Sequence, residues 1–202
     1  AMKADLPMPK VYIIPDSVPN AFATGRNPSN AYVAATQGLL DMMSEEEIEG
    51  VMAHEMTHVR NYDILTGTIA ATFAGAISIL GYSARRGASS RNSRGAGGAV
   101  LLAAILIPIA ATIVRLLISR TREYAADKGS AELTRHPDWL ISALKKLELY
   151  SSRGVIERAS PQTAHMFIIN PFGKLKSKVS SLFSTHPSTK DRIEHLQKLK
   201  MY

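Results

Sequence analysis

The chain has no cysteine among its 202 residues, which excludes disulfides, cysteine-ligated metal sites and thiol chemistry. That absence fits a reducing compartment. Aromatic residues are scarce, with a single Trp, and no basic stretch interleaves them as a nucleic-acid surface would. The formal net charge of +7 therefore needs another account, and nucleic acid is not an expected partner. Basic residues cluster beside apolar segments and in Lys174-Leu175-Lys176-Ser177-Lys178, as they do at membrane surfaces and at the flanks of membrane helices. Residues Ala1 to Lys10 lack the apolar core of a signal peptide, and the opening on Lys3-Ala4-Asp5-Leu6-Pro7 reads as a cut from a longer chain.

What the sequence does contain is two long uncharged runs. Ile64 to Ala84 is 21 residues without a charge, and Gly95 to Val114 is 20 more. Both exceed the roughly 18 residues that a membrane-spanning helix needs. Between them lies the basic linker Arg85-Arg86-Gly87-Ala88-Ser89-Ser90-Arg91-Asn92-Ser93-Arg94. A hairpin buried in a soluble core is the alternative, but a chain this short has little protein with which to cover it, so the reading favours a membrane hairpin. Its orientation stays open, because basic residues are balanced at the two ends. The chain thus divides into 1–63, a hydrophobic hairpin over 64–119, and 120–202.

Ahead of the hairpin, Lys10-Val11-Tyr12-Ile13-Ile14, residues 20–27 and Ala31 to Thr36 read as three strands, with Gly38-Leu39-Leu40 closing the third. They predict a small antiparallel sheet in a mainly α-helical protein. Ser44 with Glu47 forms a capping box and opens a helix whose apolar positions are Ile48, Val51, Met52, Met56 and Val59. Behind the hairpin the spacing predicts a helix through Arg120–Asp127 ended near Gly129. A second helix starts at His136-Pro137 and buries Trp139, Leu140, Ala143, Leu144 and Leu147. An amphipathic helix over Pro187–Leu199 is last, with a polar loop over 151–161 and a short apolar segment over 165–172 before it.

The first predicted helix carries His54-Glu55-Met56-Thr57-His58. Histidines four apart share one helix face, close enough for two imidazoles to hold one Zn²⁺. Glu55 can act there as general base. Such a site needs a third protein ligand and an open fourth position. After the hairpin, Glu123 and Asp127 lie four apart on one face of a helix that returns to the side it left. Glu123 could be the ligand and Asp127 the acceptor behind a zinc histidine, or both could pair with Arg120 and Arg122 on a solvated face. His136, His165 and His195 are weaker candidates.

His54-Glu55-Met56-Thr57-His58 together with Arg122-Glu123-Tyr124-Ala125-Ala126-Asp127 resembles the HtpX-type integral-membrane zinc metalloproteases, relatives of the CAAX prenyl proteases and the Oma-type proteases. Asn20-Ala21-Phe22-Ala23-Thr24-Gly25-Arg26 is similar to the stretch before the family's metal helix. The two apolar runs stand where the family has its last two membrane helices. Ser184-Thr185-His186-Pro187-Ser188 with Arg192 resembles its C-terminal motif. The resemblance implies a zincin-like domain with one Zn²⁺ on His54, His58 and Glu123, Glu55 as catalytic base, and Asp127 behind the ligands. It also implies Asn20, Ala21 and Phe22 as substrate-binding, with His186 and Arg192 near the substrate or the oxyanion. Two further membrane helices precede the first strand in that family, so the sequence reads as lacking them.

The expected function is a zinc endopeptidase of the inner (cytoplasmic) membrane, multi-pass, with its active site facing the cytoplasm. Its partners would be the bilayer and unfolded, misfolded or damaged membrane proteins. A prenyl-protein protease and an inactive membrane adaptor are the alternatives, and retention of Glu55 speaks against the second.

Overall fold

The computed structural model describes residues 1–69, 72, 75, 76, 79, 120–152 and 187–199. Three strands form one sheet: β1 (Lys10–Ile14), β2 (Ala21–Gly25) and β3 (Ala31–Thr36). Their order is β1-β3-β2, and the sheet is mixed, not antiparallel. β2 and β3 pair antiparallel through a tight connection, Ala21 facing Ala35 and Gly25 facing Ala31. β1 lies on the other side of β3 and runs parallel to it, Lys10 beside Tyr32 and Ile14 beside Thr36. The 15–20 connection therefore passes across the end of β3, where Gly38 donates its N–H to the Asp16 carbonyl at 2.9 Å. A Cβ on Gly38 would lie 2.1 Å from the Ser17 carbonyl oxygen, so only glycine admits this crossing. Residues 38–40 do not close the strand. They belong to α1 (Gln37–Met42), capped by the Thr36 hydroxyl, which accepts from the Leu39 N–H.

The helix α2 (Glu45–Arg60) begins at the predicted capping box. Ser44 Oγ accepts from the Glu47 N–H at 3.3 Å, and Glu47 Oε2 accepts from the Ser44 N–H at 2.8 Å. α3 (Arg120–Thr134), α4 (Pro137–Ser152) and α5 (Thr189–Lys198) complete the described helices with assigned bounds. Residues 63–69 are helical too, as are 72, 75, 76 and 79.

One face of α2 packs Val51 with Leu39, Ala21, Leu140, Leu144, Leu147 and Leu196, which ties sheet, α4 and α5 together. Met56 and Val59 pack with Val33, Ala31 and Ile64. With apolar burial worth about 25 cal/mol per Å², these clusters are the main force holding α2 at the centre.

Gly129 does not end its helix, which runs to Thr134. Its role is contact: a Cβ there would lie 2.4 Å from the Thr57 side chain. Bare backbone at this point brings α3 against α2, and Ser130 Oγ donates to the Gly50 carbonyl at 2.7 Å nearby. Of the two apolar runs, 95–114 lies outside the described residues and about half of 64–84 lies outside them. Among the described residues no helix is long and apolar enough to cross a membrane.

Candidate metal centre

The helix α2 presents His54 and His58 on one face, with their Nε2 atoms 3.2 Å apart. α3 crosses that face and brings in Glu123, whose Oε2 lies 3.7 Å from His54 Nε2 and whose Oε1 lies 3.5 Å from His58 Nε2. One ligand atom from each of His54, His58 and Glu123 falls within 4.8 Å of the others. Two imidazole nitrogens and a carboxylate oxygen at this spacing are a donor set that suits Zn²⁺ and leaves a fourth position. Of the two alternatives for Glu123, the solvated face does not hold, because Glu123 is buried at 6% exposure.

One turn after Glu123, Asp127 Oδ1 stands 3.1 Å from His54 Nδ1. A hydrogen bond there holds the Nδ1–H tautomer and turns the Nε2 lone pair to the centre. Asp127 is fully buried, and Arg192 from α5 forks onto it, with Nε donating to Oδ2 at 2.9 Å and Nη2 to Oδ1. Nη1 of the same guanidinium lies 3.6 Å from Glu123 Oε2. Burial alone would raise the Asp127 pKa, but the charge of Arg192 and the hydrogen bonds from His54 and Arg192 outweigh it and hold the carboxyl below its usual range. Burial likewise opposes the Arg192 charge, and Asp127 outweighs it, so the guanidinium pKa moves up. Arg192 thus sits behind the ligands, engaged with Asp127.

His58 has a carboxylate of its own. Asp63 Oδ2 lies 3.0 Å from His58 Nδ1. Burial disfavours the imidazolium, yet the Asp63 hydrogen bond and the charges of Glu123 and Glu55 prevail and push the His58 pKa up to about 9. In the metal-free protein a proton occupies the place of a cation. Glu55, buried on the same helix, shares the ligand face by its spacing of three from His58.

The other expected residues fall as follows. Asn20 is buried beside the sheet, its N–H donating to Thr36 Oγ1 at 2.8 Å. Ala21 and Phe22 lie on β2. His186 and His165 lie outside the described residues. His136 stacks on Trp139, and His195 lies against Tyr124, both apart from the ligand set.

The β2 strand has a free edge among the described residues. The Thr36 N–H donates to the Asn20 carbonyl, so by alternation Phe22 and Thr24 also turn their backbone toward β3. Ala21, Ala23 and Gly25 then turn theirs away from β3, with Ala21 buried against the core and Ala23 partly exposed. Gly25 is already engaged: its N–H donates to Thr68 Oγ1 at 3.2 Å, and the Thr68 hydroxyl lies 3.1 Å from its carbonyl.

Peptidase family M48 matches the chain over residues 1–200. The chain belongs to this family. It is 60% identical to a protease HtpX homolog of Campylobacter hominis over 203 residues, covering 99% of this chain and 72% of that relative. It is 52% identical to a protease HtpX homolog of a Sulfurovum species over 198 residues, covering 98% and 72%. Among solved structures it resembles that of S. mikatae Ste24p, with a TM-score of 0.59 at 22% identity over 97% of this chain and 47% of that one, a likeness of fold.

This M48 chain is a metalloprotease, and His54, His58 and Glu123 form its candidate metal site. The sequence reading missed two residues around that site. Asp63 follows a helix end and a turn through Tyr62 at φ 62°, a left-handed conformation that nothing in the Asn61-Tyr62 pair announces. Thr68 sits in an apolar run, where a hydroxyl reads as helix filler.

Proposed function

We propose that this chain is the catalytic part of a membrane-bound zinc endopeptidase that cleaves extended stretches of misfolded or damaged membrane proteins. The observation that carries the reading is the convergence of His54, His58 and Glu123, with Glu55 on the same helix face. One Zn²⁺ per chain, held by those three side chains, would polarise the scissile carbonyl and acidify water at the open position. Glu55 takes the proton from the attacking water and later delivers it to the leaving amine. Asp127, fixed by Arg192, keeps His54 in register. Arg192 acts through Asp127 and so is a positioning residue.

The outward backbone of Ala23 can pair with an extended substrate laid beside β2, while Phe22 contributes its side chain and Ala21 anchors the strand in the core. Strand addition reads backbone, so it selects unfolded segments over any one side chain. Exposed Leu65, Ile69 and Ile79, with open space beside Gly67 and Gly75, suit a helix meeting lipid or a second helix. That exposure and the uncharged runs support attachment to a membrane; placing the site on the cytoplasmic side of the cytoplasmic membrane follows the likeness to HtpX-type proteases.

Glu55→Gln tests the chemistry. Cleavage of an unfolded membrane protein in detergent should fall by about 10²–10⁴-fold, the range for loss of a general base, while zinc content stays at one per chain. Undiminished cleavage by that variant would remove Glu55 from the mechanism.

A further inference from the structure

The helix α2 ends at Arg60, and the chain turns through Asn61 and Tyr62 before the next helical segment opens at Asp63. The left-handed Tyr62 folds that segment back so that Asp63 returns to the helix it has just left. Its Oδ2 meets His58 Nδ1 at 3.0 Å, and both side chains are mostly buried. An Asp in the first turn of a helix ordinarily sits near that turn's free amides, where the helix dipole favours its charge. Here the Asp63 oxygens face other groups: Oδ2 engages His58, and Oδ1 faces Arg122 Nη1 at 3.7 Å.

The arrangement is braced. Arg122 Nη1 donates to Thr66 Oγ1 at 2.9 Å, and the Thr66 hydroxyl donates to the Asp63 carbonyl at 2.6 Å. Arg122 immediately precedes Glu123 on α3, so the strut that aims Asp63 belongs to the helix supplying the third ligand.

We propose that Asp63, braced by Arg122 and Thr66, is a positioning residue for the second metal ligand, holding His58 by its Nδ1–H so that Nε2 faces His54 and Glu123. The inference rests on the zinc reading above. It makes the two histidines separately governed. His54 answers to α3 and α5 through Asp127 and Arg192. His58 answers to the base of the segment that enters the first apolar run. Thr68 of the same segment holds Gly25 at the substrate edge. One short stretch therefore touches both a metal ligand and the β2 edge.

The test uses the full chain in detergent, with zinc affinity measured by chelator competition and the Co²⁺ absorption spectrum as a reporter of ligand geometry. Asp63→Asn keeps an acceptor oxygen and should weaken zinc about 10-fold, whereas Asp63→Ala should weaken it about 100-fold, the span seen when such outer partners are removed. Both should shift the Co²⁺ spectrum. Arg122→Met, which leaves His58 and Asp63 intact, should cost a smaller factor in the same direction. Thermal unfolding of the metal-free variants separates a folding defect from a metal defect. Wild-type zinc affinity and an unchanged Co²⁺ spectrum in Asp63→Asn and Asp63→Ala would overturn the proposal. Glu123→Ala is the control: if it and the wild type bind zinc alike, the ligand assignment itself fails, independently of Asp63.

Discussion

Glu47 and Glu55 lie on the same helix, and each is buried at 6% exposure, yet their surroundings are opposite. Glu47 is enclosed by donors. It accepts from the Ser44 N–H, from Ser142 Oγ at 2.6 Å and from Lys146 Nζ at 2.6 Å. Burial works against its charge, but those bonds prevail and lower its pKa. Glu55 shares its end of the helix with other acids. Its charge acts on His58 and Arg192 together with that of Glu123, while Asp127 and Asp63 stand behind the histidines. Among the described residues, Arg192 and Arg122 are guanidiniums that face these carboxylates. A buried carboxylate enclosed by its own donors is a fastener, whereas carboxylates gathered around two imidazoles form a donor set that a metal can join.

Three perturbations test that contrast. The largest effect on stability should come from Arg192→Met, which leaves Asp127 buried without its cation and should destabilise the protein by about 3–5 kcal/mol. Chemical denaturation of the metal-free protein measures it, and an unchanged midpoint would mean that Asp127 is held in another way. Glu47→Ala comes next. Loss of the capping box and of the Ser142 and Lys146 bonds should cost about 2–3 kcal/mol, with zinc affinity unaltered. A change in zinc affinity there would erase the distinction between the two ends of α2.

The third test is a pH slope. The folded His58 pKa of about 9 lies above the ordinary 6.5, so its proton stabilises the metal-free fold fully below about pH 6.5. That contribution is lost as pH rises through about 9. The melting temperature of the metal-free protein should fall across this window, and zinc loading should flatten the slope by displacing the proton. Equal slopes with and without zinc would show that His58 is not where the ion binds.

Much of this was legible in the sequence, for local reasons. The capping box, the shared face of His54 and His58, and the pairing of Glu123 with Asp127 follow from helical spacing alone. The mixed sheet did not, because whether β1 or β2 flanks β3 on a given side depends on how residues 15–20 cross, and that depends on contact with Gly38. Gly129 looked like a helix stop because its tertiary partner, Thr57, lies far away in sequence. Asp63 was hidden by a turn that only the fold defines. Arg192 was expected near the substrate, since the sequence does not say which side of the ligands α5 approaches.

The contact between Arg192 and His54 spans 138 positions of chain. Read as a sequence of events in synthesis, this gives the centre a built-in order of assembly. The His54 helix and its capping box can form before Glu123, Asp127 and Arg192 have been made. Asp127 can arrive only after the apolar runs have been translated, and its guanidinium only after residue 192 has left the ribosome. A nascent chain therefore carries a recognisable zinc helix long before it carries a finished centre, and the centre is withheld until residue 192 has been made.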